Sequence, residues 1–398
     1  MQTLLQTHTP SLPSLARWPV EPPTGRPALS GQALADMAAC RAALREGSYT
    51  FYAASLLLPR AVREPASALY AFCRLADDAV DSVDSLAGVD TGRAKHAAVS
   101  RLRARLDAAY RGPLQPASAP AADRALAAVV AHFDIPRELL DALLEGFEWD
   151  ADGRQYETLE ALQGYAVRVA ASVGAMMAVL MGVRSADGLA RACELGVAMQ
   201  LSNIARDVGE DARMGRLYLP LQWLREAGVD PDAWLARPVF NQAIAGVVQR
   251  LLDAADVLYR RVDSGVAQLP LACRPGINAA RYLYADIGHE VARRGLDSVT
   301  QRAVVPRARK LWLLAQALTR LNPNRALASV ACLPAAHFLV AAVTMLPHNL
   351  RESEPRQRTP WWRVYQRVAD RAVWVIELFE RLERREQMPQ IQRMPTGL

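Results

Sequence analysis

A helical hydrophobic period constrains this chain more than any other feature. It begins near Ala33 and continues to about Glu386, broken only by short turn signals. Alanine, leucine and arginine, all strong helix formers, dominate the intervening stretches, and runs of β-branched residues are scarce. The breaks fall at 112–122, 150–153, 228–231, 269–275 and 322–324, and composition does not shift across any of them. With 51% hydrophobic residues in a chain of 398, there is ample material for one large core. The expectation is an all-α protein with a single large helical bundle over residues 33–350. Residues 1–32 carry Pro10, Pro13, Pro19, Pro22 and Pro23, lack the basic start and apolar run of a secretory signal, and read as a disordered lead-in.

Charge and cysteine usage narrow the setting. The net charge of +6 is uneven: residues 291–398 hold 18 basic and 8 acidic side chains, so that part carries +10. Residues 351–398 add Trp361, Trp362 and Trp374 among arginines, which suits a C-terminal helix or tail packed on the domain or on an anionic membrane surface. No zinc-finger, homeodomain-like or RNA-binding pattern supports a nucleic-acid partner. The five cysteines are widely spaced with no CxxC pair, consistent with a reducing, cytoplasmic setting and peripheral membrane association. Val169–Val183 is free of charge but too short to span a bilayer, and reads as a buried helix. Ala326–Leu350 is long enough to span, yet Pro334 and Pro347 make it a broken pair of core helices.

Two acidic stretches carry the chemistry. In YAFCRLADDAVD, residues 70–81, Asp77 and Asp81 lie four apart and about 40° apart around a helix axis. Leu69, Cys73, Ala76 and Val80 mark the buried stripe that they flank, while Asp78 turns outward. Taken alone, this pattern also fits an acidic surface face paired with Arg74. In MQLSNIARDVGED, residues 199–211, Asn203, Asp207 and Asp211 step by four along one face. Every one offers oxygen, so two such helices suit Mg²⁺ or Mn²⁺ rather than zinc and predict a metal-bridged diphosphate. Arg74 and Arg206 are placed to pair with these acids or to reach the same anion. An anionic head gripped beside an apolar helix points to isoprenoid diphosphates as the substrate class.

These two stretches resemble the aspartate-rich signatures of the squalene/phytoene synthase family. The resemblance extends to GSYTFYAASLLLP (47–59), YETLEALQGYAVRVAASVG (156–174), GRLYLP (215–220) and YLYADIG (282–288), covering roughly residues 38–310. It implies the isoprenoid synthase type of bundle with a central active-site cavity. It also implies metal ligation by Asp77, Asp81, Asn203, Asp207 and Asp211, with two or three Mg²⁺ or Mn²⁺ ions bridging the diphosphate. Diphosphate and substrate contacts would come from Ser48, Thr50, Tyr70, Arg74, Gln200, Arg206, Tyr284 and Arg302, and Tyr165 would stand near the reacting centre. Phenol dipoles of Tyr165, Tyr282 or Tyr284 would steady cations. The motif forms are most similar to the phytoene-forming branch of carotenoid-making bacteria. This implies head-to-head condensation of two geranylgeranyl diphosphates through a cyclopropylcarbinyl diphosphate, without NADPH, in company with downstream carotenoid enzymes. The alternatives are a squalene- or dehydrosqualene-type synthase using farnesyl diphosphate, and a catalytically silent assembly factor.

Overall fold

The computed structural model describes residues 31–47, 49–81, 91–114, 119–320 and 331–345, and within them the side chains of 47, 49–51, 53, 77, 78, 80, 81 and 91 lie outside the description. Residues 1–30 of the lead-in, the basic tail and Ser48 therefore lie outside the described residues, while residues 31 and 32, expected in the lead-in, open the first helix. Every regular element among the described residues is helical. In chain order these are α1 (Gly31–Gly47), α2 (Tyr49–Leu56), α3 (Arg60–Asp81), α4 (Thr91–Arg111), α5 (Ala121–Phe133), α6 (Arg137–Ala151), α7 (Leu159–Ala166) and α8 (Ser172–Leu180). There follow α9 (Ala186–Arg213), α10 (Leu221–Glu226), α11 (Pro231–Ala236), α12 (Gln242–Val266), α13 (Arg274–Arg293), α14 (Arg307–Thr319) and α15 (His337–Thr344).

The longest helices organise the rest. α9 starts at Ser185, whose Oγ accepts from the Gly188 N–H at 3.3 Å, a cap worth about 1 kcal/mol. α12 starts at Asn241, whose Oδ1 accepts from the Ile244 N–H at 2.9 Å. Ile244, Val248, Leu251, Ala255, Leu258 and Val262 recur at three or four on α12 and are all buried, which seats that helix antiparallel along α9. α7 and α8 form one continuous helix joined by a π-helical segment, Val167–Ala171. Such a segment bulges the helix by one residue and is frequent at functional sites. The whole stretch Leu159–Leu180 is long and apolar enough to cross a membrane, but here it packs against α6 and α9. The break expected inside the apolar 326–350 stretch is real at Pro334, where a 3₁₀ turn (Pro334–Ala336) leads into α15. α15 lies on α6, α8 and α9 through the buried Leu339 and Val343 and leaves Phe338 exposed, so it covers the core from outside. Residues 326–330 and 346–350 of that stretch, and with them the expected second helix, lie outside the described residues.

Candidate active site

A cavity of about 380 Å³ runs along α9 and is walled by α3, the π segment with α8, and α12 and α13. Periodicity builds its longest wall. Gly188, Arg191, Leu195, Met199 and Asn203 recur at three or four and face the cavity, as does Ala192 beside Arg191. Cys193, Val197, Leu201, Ala205 and Val208, on the opposite side of α9, are buried in the core. Across the cavity, α3 offers Leu69, Tyr70 and Cys73, and α8 offers the adaptable side chain of Met177.

One end of the cavity is polar. Gln200 and Asn203 from α9, Tyr70 from α3 and Tyr284 from α13 line it. Burial pushes the Tyr284 phenol up to about 12, so it stays protonated and presents an O–H dipole at neutral pH. One turn beyond Asn203, Asp207 is held by two guanidinium groups. Arg206 donates to both carboxylate oxygens at 2.7 and 2.5 Å, and Arg302 does the same at 2.8 and 3.3 Å. Burial alone would raise the Asp207 carboxyl, but the paired arginines outweigh it and hold it below the usual carboxylate range. Asp211, a further turn on, has no such clamp: burial, with the charge of Asp207 added, pushes it up to about 7.

Arg302 reaches this site because its loop is fastened to α9. The Gly209 N–H donates to the Ser298 carbonyl at 2.9 Å, and a Cβ on Gly209 would sit 2.0 Å from the Val299 oxygen. Only glycine allows that approach. Arg213 donates to the Val299 carbonyl at 3.2 Å, and Asp297 accepts from the Val299 and Thr300 N–H groups at 3.2 and 2.9 Å.

A divalent cation fits what α9 offers. Asn203 Oδ1 is buried with no hydrogen-bond partner among the described residues, which is costly for a carbonyl oxygen and is relieved by a cation. The raised Asp211 carboxyl beside the charged Asp207 calls for the same relief. Among the described residues, no three His, Cys, Asp or Glu side chains converge to hold a metal. Asp77 and Asp81 fall in the last turns of α3, with their side chains outside the description.

Of the residues singled out from the sequence, Tyr70, Gln200, Asn203 and Tyr284 come together in the cavity, and Arg206, Asp207, Asp211 and Arg302 continue the site along α9 and its neighbouring loop. Arg74 lies exposed on α3. Thr50 lies in α2 with its side chain outside the description. Two tyrosines do not reach the cavity. Tyr165 turns away because Asp150 claims its hydroxyl at 2.9 Å, and its ring stacks on Tyr218 at 5.2 Å. Tyr218 donates to the other oxygen of Asp150 at 2.8 Å. Tyr282 packs instead on a separate small cluster containing Leu56, Leu57 and Leu313. Asp150 itself escaped notice, since its partners are 15 and 68 residues away and no local spacing marks it.

A bundle that is all helical among the described residues, built around an apolar cavity with amide and carboxylate oxygens and arginines toward one end, defines the helical isoprenoid synthase fold. The chain belongs to the squalene/phytoene synthase family, whose model matches residues 44–309. It is 55% identical over 316 residues to a phytoene synthase of Cereibacter sphaeroides, covering 78% of this chain and 88% of that one. It is 58% identical over 281 residues to a phytoene synthase of Rhodobacter capsulatus, covering 71% and 80%. Among solved structures, a dehydrosqualene synthase in complex with ligand superposes with a TM-score of 0.64 at 30% identity, covering 73% of this chain and 98% of that one.

Proposed function

We propose that this protein is a divalent-metal-dependent prenyltransferase that condenses two geranylgeranyl diphosphates head to head, through a cyclopropylcarbinyl diphosphate, to phytoene. The observation that carries this reading is the cavity along α9, apolar over most of its length and ended by Gln200 and Asn203, with the arginine-clamped Asp207 one turn beyond. The 55% and 58% identities to enzymes named phytoene synthase support the longer prenyl substrate over farnesyl diphosphate. A dehydrosqualene synthase at 30% identity keeps farnesyl coupling as the second reading.

Asn203, Asp207 and Asp211, with Asp77 and Asp81 from α3, are the residues that would hold Mg²⁺ or Mn²⁺. When bound, such ions neutralise charge on the departing diphosphate. Arg206 and Arg302, which donate to Asp207, carry the guanidinium forks that would bind diphosphate oxygens bidentately. Arg74, exposed on the same side of α3 as the acidic turn, is placed to add a third guanidinium. The apolar walls exclude water from the allylic cation, which water would otherwise capture. The Tyr284 hydroxyl, held protonated by burial, would direct its dipole at the departing group or the cation, and Tyr70 lines the same polar end.

Purified protein supplied with Mg²⁺ and either geranylgeranyl or farnesyl diphosphate, without NADPH, is expected to yield phytoene from the former. Dehydrosqualene from farnesyl diphosphate with no phytoene from geranylgeranyl diphosphate would overturn the assignment. The excess of basic residues after position 291 further suggests docking on anionic lipid. Liposome flotation of the chain with and without residues 351–398 tests this, and equal binding would refute a role for the tail.

A further inference from the structure

The end of the cavity opposite the diphosphate residues is not apolar. Arg191, whose side chain is 1% exposed, borders it together with Gly188, Gly265 and Leu269. Its Nη1 lies 3.0 Å from Glu194, which is fully buried, and Arg261 of α12 donates to the same carboxylate at 3.4 Å. The arginine stem is wedged against α12: a Cβ on Gly265 would lie 2.3 Å from the Arg191 Cβ. The guanidinium also reaches the Ala331 carbonyl at 3.5 Å, tying the cluster to the segment before α15. Arg191 and Asn203 stand on the same helix, twelve residues apart, so about 18 Å of channel separates the charged end from the polar one.

Resting on the reading above, we propose that Arg191, braced by Glu194 and Arg261, is a specificity-determining residue that stops the prenyl tail and sets the longest chain the cavity admits. The chemistry of the pair suits a stop better than an apolar wall does. Methionine-rich walls such as those at Met177 and Met181 repack around an added isoprene unit. The buried Arg191 cannot, because pushing it off Glu194 leaves its own guanidinium as an uncompensated buried charge. A hydrocarbon terminus offers the guanidinium no hydrogen bond in exchange.

The test is the ratio of kcat/KM for geranylfarnesyl diphosphate, one isoprene unit longer, to that for geranylgeranyl diphosphate. In Arg191→Met, Glu194 keeps Arg261, and the ratio is expected to rise roughly tenfold or more. Arg191→Lys preserves the charge and is expected to keep the original ratio, whereas a merely structural role would lower both substrates together. An unchanged ratio in a folded Arg191→Met protein, or an Arg191→Lys protein as permissive as the methionine variant, overturns the proposal. If Arg191→Met does not fold, Ala192→Leu decides. By filling the channel beside Arg191, it is expected to favour farnesyl over geranylgeranyl diphosphate by roughly tenfold, and no change in that preference overturns the proposal. Failure of the wild type to use geranylgeranyl diphosphate at all would instead sink the functional reading beneath it.

Discussion

Asp207 sits between two guanidinium groups, which makes it the hinge of the site at the scale of single residues. Its pairing with Arg206 and Arg302 keeps a half-buried carboxylate ionised. The neighbouring Asn203 contributes a buried oxygen that finds no hydrogen-bond partner among the described residues. Asn203→Ala removes that oxygen, and the Mg²⁺ concentration for half-maximal activity is expected to rise roughly tenfold or more, as is common when one partner of a metal site is lost. An unchanged metal requirement would remove Asn203 from the donor set. Spacing made Asn203, Asp207 and Asp211 legible, because a step of four on a helix repeats one direction. It gave no hint that Arg302, 95 residues from Asp207, would close on it. It also could not show that Tyr165 faces Asp150, since that contact is decided by how α6 and α7 meet.

Elements of the bundle were legible wherever the 3.6-residue period was strong. The α9 stripe, the buried apolar α8 and the interruption at Pro334 all follow from side-chain period and proline chemistry. The π segment at 167–171 and the charged end of the cavity do not, because both depend on helices meeting in space. Two joints are open to test at this scale. At Gly209, where α9 touches the 296–305 loop, Gly209→Ala is expected to cost about 1–3 kcal/mol through overpacking. It is also expected to lower turnover by displacing Arg302; full activity and unaltered melting would contradict that joint. At the α1–α5 contact, Arg124 donates to the two oxygens of Asp36 at 2.9 and 2.5 Å. These hydrogen bonds hold the Asp36 carboxyl below its ordinary value. A depressed folded value means the stabilisation is present above the unfolded carboxylate range, about 3.9, and is lost as pH falls through the folded value. Asp36→Asn is therefore expected to lower the melting temperature by a few degrees at pH 7, with the difference from wild type closing in acid. A difference that persists unchanged at low pH would show that the pair is not the cause.

Across the whole molecule, α3 and α9 face each other over one apolar channel with opposite ends of different chemistry. The polar end holds amide, carboxylates and arginines suited to diphosphate and metal, while the walls keep water from a carbocation. The most direct test of this arrangement is the stoichiometry of pyrophosphate release from geranylgeranyl diphosphate with Mg²⁺. The expected result is two pyrophosphates per phytoene formed, with none released in the presence of EDTA or by Asp207→Ala. Release that continues after chelation, or that persists undiminished in Asp207→Ala, would contradict the assignment of this end of the channel to metal-dependent ionisation.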